Sequence, residues 1–213
     1  MHEDNRKTCL IITGGEYDPL PPGTAYDHLV ACDRGYEAAA EMGLLPDVII
    51  GDFDSAGEPP GSAGIPVIRA PREKDDTDTM LAIRYALEHG YRHIILSCAL
   101  GRRLDHTLSN IQSAMFVAVN RGICEIISRA ERIRTLTPED GILRLPRREG
   151  WYLSLFSLTE KCLGVKISGV KYPSACLTLT SSFPLGQSNQ WIREEARISL
   201  KQGILLIVES KDR

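Results

Sequence analysis

The chain has 213 residues, of which 43% are hydrophobic and 25% charged, a composition that excludes disordered and fibrous classes. Its formal net charge of -3 leaves no broad basic field, so we expect no nucleic-acid partner. No apolar run approaches the ~20 residues of a membrane span, and the polar segment 1–7 does not resemble a signal peptide. We therefore expect a cytoplasmic protein that does not bind membranes.

Short apolar runs in the first part of the chain predict buried strands, because continuous runs of this length are typical of strands covered on both faces. They lie at residues 9–12, 28–32, 48–50, 93–96 and 124–127. Helical periodicity occurs between them, at about 36–42, 77–89 and 106–120, and the first two stretches stop at Gly43 and Gly90. Strands that alternate with helices indicate a mostly parallel sheet, so we predict a Rossmann-like α/β domain over residues 1–132.

After about Arg132 the helical pattern stops and short β-rich segments follow one another. They lie at residues 133–136, 142–145, 151–158, 165–168, 175–180, 196–200 and 204–209. Closely spaced segments of this kind indicate antiparallel sheets. We predict an all-β sandwich domain over residues 133–213.

The cysteines occur singly, without the paired spacing that a zinc site or a redox motif needs. Their positions are 9, 32, 98, 124, 162 and 176. Most of them lie in or beside apolar runs, where cysteine behaves as a small hydrophobic residue. We therefore expect reduced thiols with a structural role.

Acidic residues follow the predicted strands of the first domain or begin its helices. Those in question are Asp33, Asp52, Asp54, Asp75, Asp76, Asp78 and Asp105. Because the carboxyl ends of parallel strands meet at one edge of a sheet, these side chains should gather there. Carboxylates that lie close together repel unless a cation compensates them, and Mg²⁺ prefers oxygen ligands together with a substrate's phosphates. The pattern indicates metal-assisted phosphate chemistry.

Simpler roles exist for some of these residues. Asp78 and Asp105 could cap helices, and Asp54 with Ser55 could form a turn. Several acids at one sheet edge nevertheless favour the metal site over separate local roles. Neither a Walker nucleotide loop nor a dinucleotide fingerprint occurs, since Gly14-Gly15-Glu16 follows the first strand.

Basic residues near the acids could bind phosphate. Arg102 and Arg103 stand in a predicted strand-to-helix loop, where guanidinium groups and free helix N–H groups can hold phosphate oxygens. Lys74 lies beside the acidic cluster. His106 could act as a base or could simply pack in the first turn of a helix, and exposed arginines are often only solvated.

Four segments together resemble, in order and spacing, the signature blocks of thiamine pyrophosphokinases. They are D-R-G at 33–35, L-P-D-V-I-I-G-D-F-D-S at 45–55, K-D-D-T-D at 74–78 and G-R-R-L-D-H-T-L-S-N at 101–110. The resemblance implies transfer of a diphosphate group from ATP to the hydroxyl of thiamine, with Mg²⁺ as cofactor and thiamine diphosphate and AMP as products. It also implies a homodimer whose second domain binds thiamine and forms the dimer interface.

The resemblance assigns roles to residues of this chain. It implies Asp52, Asp54 and Asp78 as magnesium ligands, Asp33 and Asp105 as further acids, and Arg103 as the signature arginine. Contacts to ATP or thiamine are implied for Lys74, Asp75, Thr77, His106, Asn110, Ser168, Tyr172, Ser188 and Asn189. The chain departs from the family pattern at Arg34, Ser97 and Arg102, where the family usually has glycine.

Several questions stay open in the sequence. Either Asp78 or Asp105 could accept or orient the hydroxyl proton, and either Tyr172 or Trp191 could stack on thiamine, although tryptophan mostly packs in cores. A metal-dependent phosphohydrolase would use the same clustered acids. A non-catalytic thiamine or nucleotide sensor is the alternative outside the enzymes.

Overall fold

The protein is known here from a computed structural model, which describes residues 7–52, 64–69, 76–101 and 103–212. The chain divides into two compact units, Met1–Arg129 and Ala130–Arg213. The first contains strands and helices, whereas the second is rich in strands. The prediction of a mixed α/β chain with a β-rich C-terminal region is confirmed.

A parallel sheet forms the centre of the first unit. Its strands are β1 (Thr8–Ile12), β2 (His28–Cys32), β3 (Val48–Gly51), β4 (Val67–Arg69), β5 (His93–Ser97) and β6 (Ile123–Ile127). They are arranged in the order β6-β5-β1-β2-β3-β4, and the neighbours pair in parallel. Leu10, Ile12, Leu29 and Ile94 are almost fully buried, which explains the continuous apolar runs in the sequence.

The helices of this unit are α1 (Gly35–Glu41), α2 (Asp78–Glu88) and α3 (Leu104–Val119). Gly43 and Gly90 follow the first two with φ angles of 72° and 84°, a conformation that glycine adopts without steric cost at helix ends. Both predicted helix stops are therefore confirmed.

The strand order reverses direction between β1 and β5. From β1 the chain moves outward through β2, β3 and β4, whereas β5 returns to the other side of β1 and β6 continues from there. The loops that follow β1 and β5 meet at the carboxyl ends of these two strands, where such a change in strand order commonly forms a ligand crevice. This topology fixes where the first unit can bind a ligand.

Antiparallel sheets form the second unit. Its strands are β7 (Glu131–Leu136), β8 (Leu143–Pro146), β9 (Trp151–Ser157), β10 (Lys161–Ser168), β11 (Ser174–Thr180), β12 (Gly186–Asn189), β13 (Glu195–Ser199) and β14 (Leu205–Lys211). The strand orders are β12-β9-β14-β7 and β11-β10-β13-β8. Both sheets supply residues to one apolar core, including Leu153, Val165 and Ile198.

Some elements differ from the sequence prediction. Neither β4, which has three residues, nor the polar β12 (Gly-Gln-Ser-Asn) was predicted, because neither shows an apolar run. Strand β10 begins four positions earlier than predicted, since Gly164 interrupts the alternation at a register shift between Cys162 and Val165. Helix α3 begins at Leu104, two positions before the predicted start. Leu104 is 72% exposed, so it does not belong to the buried apolar face on which the periodicity depends.

The cysteines are free thiols, and all of them except Cys176 are buried. Burial raises the pKa of Cys9 to about 12, and the nearby charge of Asp47 adds to this effect. The expectation of mostly buried, reduced cysteines is confirmed. In the part of the chain that the structure describes, every helix is too short or too polar to cross a lipid bilayer.

Candidate active site

A pocket of about 300 Å³ lies at the carboxyl ends of β1, β2 and β5 in the first unit. Three segments and the starts of two helices surround it. The lining residues are Thr13, Gly14, Gly15, Cys32, Asp33, Thr77, Asp78, Thr79, Ala99, Leu100, Gly101, His106, Ser109 and Asn110. The pocket therefore occupies the crevice at which the strand order reverses.

Gly14 allows the loop after β1 to lie directly against an acidic side chain. A Cβ atom at this position would lie 2.6 Å from Oδ2 of Asp33 and 3.2 Å from the backbone nitrogen of Arg34. The sequence prediction did not assign Gly14 and Gly15 to the site. The signal that could have found them was a glycine pair directly after the first buried strand, where the sheet topology predicts a ligand crevice.

Asp33 follows β2 in a left-handed backbone conformation, with a φ angle of 51°. Only a small fraction of residues other than glycine adopt this conformation, and aspartate is among the commoner of them. The backbone N–H of Asp33 donates to the carbonyl of Ile50 at 3.0 Å, which holds the residue at the end of β3. The left-handed turn thus directs the chain from the sheet into α1.

Two further predicted acids affect the pKa of Asp33, which lines the pocket. Burial away from water raises the pKa of Asp33, and the negative charges of Asp78 and Asp52 raise it further. A hydrogen bond from the backbone N–H of Arg34 lowers it in part. Asp33 and Asp78 both line the pocket. A cation placed there would relieve this repulsion.

The donor chemistry fits a hard divalent cation, because these three side chains offer carboxylate oxygens only. Within the described ranges, no group of three or more histidine, cysteine or acidic side chains has the spacing of a preformed metal cage. Mg²⁺ does not require one, since it keeps several waters and shares its remaining ligands with substrate phosphates. Asp54, Lys74, Asp75 and Arg102 lie outside the described residues.

The raised pKa of Asp33 predicts a pH-dependent gain in stability for Asp33→Asn. Because the pKa of Asp33 is higher in the folded state than in the unfolded state, ionisation of Asp33 destabilises the fold. This destabilisation is absent at a pH below the unfolded-state pKa and reaches its full size once the pH exceeds the folded-state pKa. Thermal unfolding of the metal-free protein between about pH 4 and about pH 7 should therefore show a variant whose advantage is largest at neutral pH. A constant advantage would indicate only that asparagine is better suited to the left-handed conformation.

Asp78 begins α2 but does not cap it. The N-cap is Thr77, whose hydroxyl oxygen accepts a hydrogen bond from the backbone N–H of Met80 at 3.1 Å. The capping alternative for Asp78 is therefore wrong, and the hydroxyl of Thr77, predicted to contact ligand, has a structural partner. Asp78 lines the pocket from the first turn of the helix, where the helix dipole favours negative charge.

Asp105 forms an ion pair with Arg103 at the start of α3. The guanidinium donates through Nε to Oδ1 at 3.0 Å and through a second nitrogen to Oδ2. This hydrogen bonding, together with the backbone N–H of His106, holds the pKa of Asp105 below its usual range. Both partners are exposed, and neither is among the described residues that line the pocket. The N-cap of α3 is Arg103, so the capping alternative is wrong for Asp105 as well.

His106 and Asn110 both line the pocket from α3. The side chain of Asn110 is buried, and its Nδ2 donates to the carbonyl of Ala99 at 2.7 Å. Its amide nitrogen therefore fastens the loop after β5. The sequence predicted a direct contact between Asn110 and a ligand, and it did not predict this contact with the loop.

Two of the predicted residues of the second unit, Tyr172 and Asn189, are joined by hydrogen bonds. Oδ1 of Asn189 accepts from the backbone N–H groups of Tyr172 and Gln190, each at 3.0 Å, and its Nδ2 donates to the carbonyl of Tyr172 at 2.9 Å. Ser188 has a φ angle of 59°, and its N–H donates to the hydroxyl of Ser154 at 2.9 Å. Ser168 ends β10. The buried amide of Asn189 thus fixes the backbone on both sides of Tyr172.

The two candidate aromatic residues differ in exposure. Tyr172 is 65% exposed, whereas Trp191 is 7% exposed and belongs to the apolar core. The indole N–H of Trp191 donates to the carbonyl of Leu145 at 3.3 Å. Of the two, Tyr172 therefore offers the more exposed ring.

Comparisons with known proteins agree along almost the whole chain. A family model described as thiamin pyrophosphokinase, catalytic domain, matches residues 24–125, and one described as thiamin pyrophosphokinase, vitamin B1 binding domain, matches residues 141–205. A thiamine pyrophosphokinase of Bacillus subtilis is 29% identical over 217 residues, which cover 97% of this chain and 100% of that protein.

Solved structures give the same result. The crystal structure of thiamine pyrophosphokinase from Bacillus subtilis is similar with a TM-score of 0.86 at 27% identity, covering 97% of this chain and 100% of the other. The thiamin pyrophosphokinase from Geobacillus thermodenitrificans is similar with a TM-score of 0.81 at 28% identity, covering 96% and 98%. These similarities extend over both compact units.

Proposed function

Because the chain belongs to the thiamine pyrophosphokinase family, we propose that it transfers a diphosphate group from ATP to the hydroxyl of thiamine. The products are thiamine diphosphate and AMP. The match of both family models, one catalytic and one for vitamin B1 binding, carries this proposal. The pocket at the carboxyl edge of the parallel sheet supports it, since it combines clustered acids with closely approaching backbone.

In this proposal the ATP phosphates bind in the pocket of the first unit, next to Asp33 and Asp78. Mg²⁺ would be held by Asp52 and Asp78 together with Asp54, and when bound it neutralises phosphate charge. Gly14 and Gly15 let the backbone come close to the phosphates. Support for this placement comes from the negative charges of Asp78 and Asp52, which raise the pKa of Asp33, and from the position of Asp33 and Asp78 in the pocket wall.

In the transfer step the thiamine hydroxyl oxygen attacks the β-phosphorus, and the bond from that phosphorus to the oxygen shared with the α-phosphorus breaks. AMP leaves with that oxygen, and the hydroxyl proton passes to a carboxylate. Either Asp78 or Asp105 takes this role: pairing with Arg103 lowers the pKa of Asp105 and weakens it as a base, and coordination to Mg²⁺ would weaken Asp78 in the same way. Positioning of the two substrates provides most of the remaining rate enhancement.

Thiamine is proposed to contact Ser168, Tyr172, Ser188 and Asn189. Tyr172 is exposed and its backbone is fixed by Asn189, so its ring can stack on the pyrimidine. Nζ of Lys171 lies 5.5 Å from the ring centroid, and the cationic thiazolium would have to displace it to face the same ring. A homodimer, a Rossmann-like arrangement in the first unit, a β-sandwich in the second and a cytoplasmic location complete the proposal.

Product analysis tests this function directly. The purified protein is incubated with ATP, Mg²⁺ and thiamine, and the nucleotide and thiamine products are separated; AMP and thiamine diphosphate are expected in equal amounts. A parallel sample with excess EDTA should form neither. Formation of ADP would instead indicate transfer of a single phosphoryl group, orthophosphate without thiamine would indicate a phosphohydrolase, and binding without any product would indicate a sensor.

A further inference from the structure

The carbonyl of Cys98 is enclosed by two residues of the loop after β1. The hydroxyl of Thr13 donates to it at 2.6 Å, and a Cβ atom on Gly15 would lie 2.0 Å from the same oxygen. Thr13 is 4% exposed, so water competes little for this hydrogen bond. The loop after β1 therefore contacts the Cys98 carbonyl at two positions, Thr13 and Gly15.

Cys98 itself has an unfavourable backbone conformation. Its φ angle is 55°, in the left-handed region that residues with a Cβ atom rarely occupy. Such a conformation persists only where neighbouring groups enforce it. The thiol of Cys98 contacts the carbonyl of Asp18 at 3.7 Å, and the backbone N–H of Thr13 donates to the carbonyl of Ser97 at 3.0 Å, so the turn is held from several directions.

The residues directly after Cys98 form one wall of the pocket. Ala99, Leu100 and Gly101 line it together with Gly14 and Gly15, and Asn110 holds the carbonyl of Ala99 from α3. The contact between Thr13 and Cys98 therefore ties the two loops of the phosphate pocket to each other at the point where the sheet order reverses.

We propose that Thr13 is a positioning residue for diphosphate transfer, whose hydroxyl holds the Cys98 carbonyl and so fixes the 99–101 loop against the ATP phosphates. A threonine hydroxyl has one hydrogen to donate, and this one is directed at Cys98 rather than at substrate. The inference rests on the proposed function for its kinetic consequence, whereas the loop-fixing contact can be measured without it.

Thr13→Val tests the proposal, because valine keeps the shape and removes the donor. Amide hydrogen exchange of residues 99–101 should become faster, and the KM for ATP should rise about tenfold or more while the KM for thiamine changes less than about twofold. Thr13→Ser, which restores the hydroxyl, should return both measurements close to the starting protein.

Thr8→Val is the matched control. Thr8 hydrogen-bonds His93 at 3.1 Å between the same two strands, β1 and β5, at their opposite ends. A merely structural role for Thr13 predicts that Thr8→Val and Thr13→Val lower the melting temperature alike and that neither alters the KM for ATP selectively. That result would overturn the proposal.

Two further outcomes are decisive. If Thr13→Val fails to fold, the smaller Thr13→Ala replaces it, and failure of both would make Thr13 a folding residue and overturn the proposal. Unchanged hydrogen exchange in a folded variant would also overturn it, whatever reaction the protein catalyses. If the unsubstituted protein forms no thiamine diphosphate, the proposed function fails, and the exchange experiment still decides whether Thr13 holds the loop.

Discussion

We expect Asp78→Asn to reduce turnover by about 100- to 1000-fold, the cost of removing one preorganised charged group from a phosphoryl-transfer site. Asp78 lies at the pocket wall and contributes to the raised pKa of Asp33, so asparagine removes negative charge from the place where we expect Mg²⁺ and the ATP phosphates. Steady-state rates of AMP formation at saturating ATP and thiamine measure the effect.

The fold should survive this substitution, because Thr77 and not Asp78 caps α2. Asp76→Asn is the matched control, since Asp76 precedes the same helix and pairs with Arg84 at 2.7 Å. It should retain turnover within about threefold, as expected for an exposed ion pair of small energetic value. Equal losses in both variants would show that charge near α2, rather than the position of Asp78, controls the rate.

We expect Gly35→Ala to lower the free energy of unfolding by about 3 kcal/mol or more, at the upper end of the cost of an overpacked position. A Cβ atom there would lie 1.9 Å from the carbonyl oxygen of Ile12 and 2.7 Å from its carbon, and these are backbone atoms of the central strand β1. Helix α1 can approach β1 so closely only because its first residue has no side chain. For a chain of this length the loss corresponds to a fall in melting temperature of about 6 to 12 °C.

Gly43→Ala provides the comparison. Gly43 has a φ angle of 72° and no atom within 4 Å of an added Cβ, so alanine there is disfavoured by the left-handed conformation alone, at about 1 to 2 kcal/mol. Thermal unfolding of both variants separates the two effects. If the Gly35→Ala and Gly43→Ala variants were equally stable, α1 would be able to move away from β1 at little cost in free energy.

The sequence alone predicts most of the strands and the sheet edge at which Asp33 and Asp78 lie. This works because buried parallel strands produce continuous apolar runs, and because every such strand presents its carboxyl end to the same edge. The runs at residues 9–12 and 28–32 correspond to β1 and β2, and Asp33 follows directly. Strands without an apolar run, such as β12, leave no such signal.

Contacts within the site are much harder to predict. The pairing of Asp105 with Arg103 and that of Asn110 with Ala99 depend on side-chain directions at the start of α3, which spacing does not determine. Thr13 lies outside the four segments that resemble the family, and its proposed role depends on a left-handed residue 85 positions away in the chain. Backbone conformations of this kind are recognisable in sequence mainly where glycine marks them.

The position of β1 in the middle of its sheet has a consequence for synthesis on the ribosome. Its neighbours are β2 and β5, and the register joins Thr8 to His93 and Ile12 to Ser97. A growing chain can therefore pair only one side of this apolar strand until residue 97 has left the exit tunnel. Until then the other edge offers unpaired backbone groups to any extended segment nearby, so chains that stall before β5 should be the ones that depend most on chaperones.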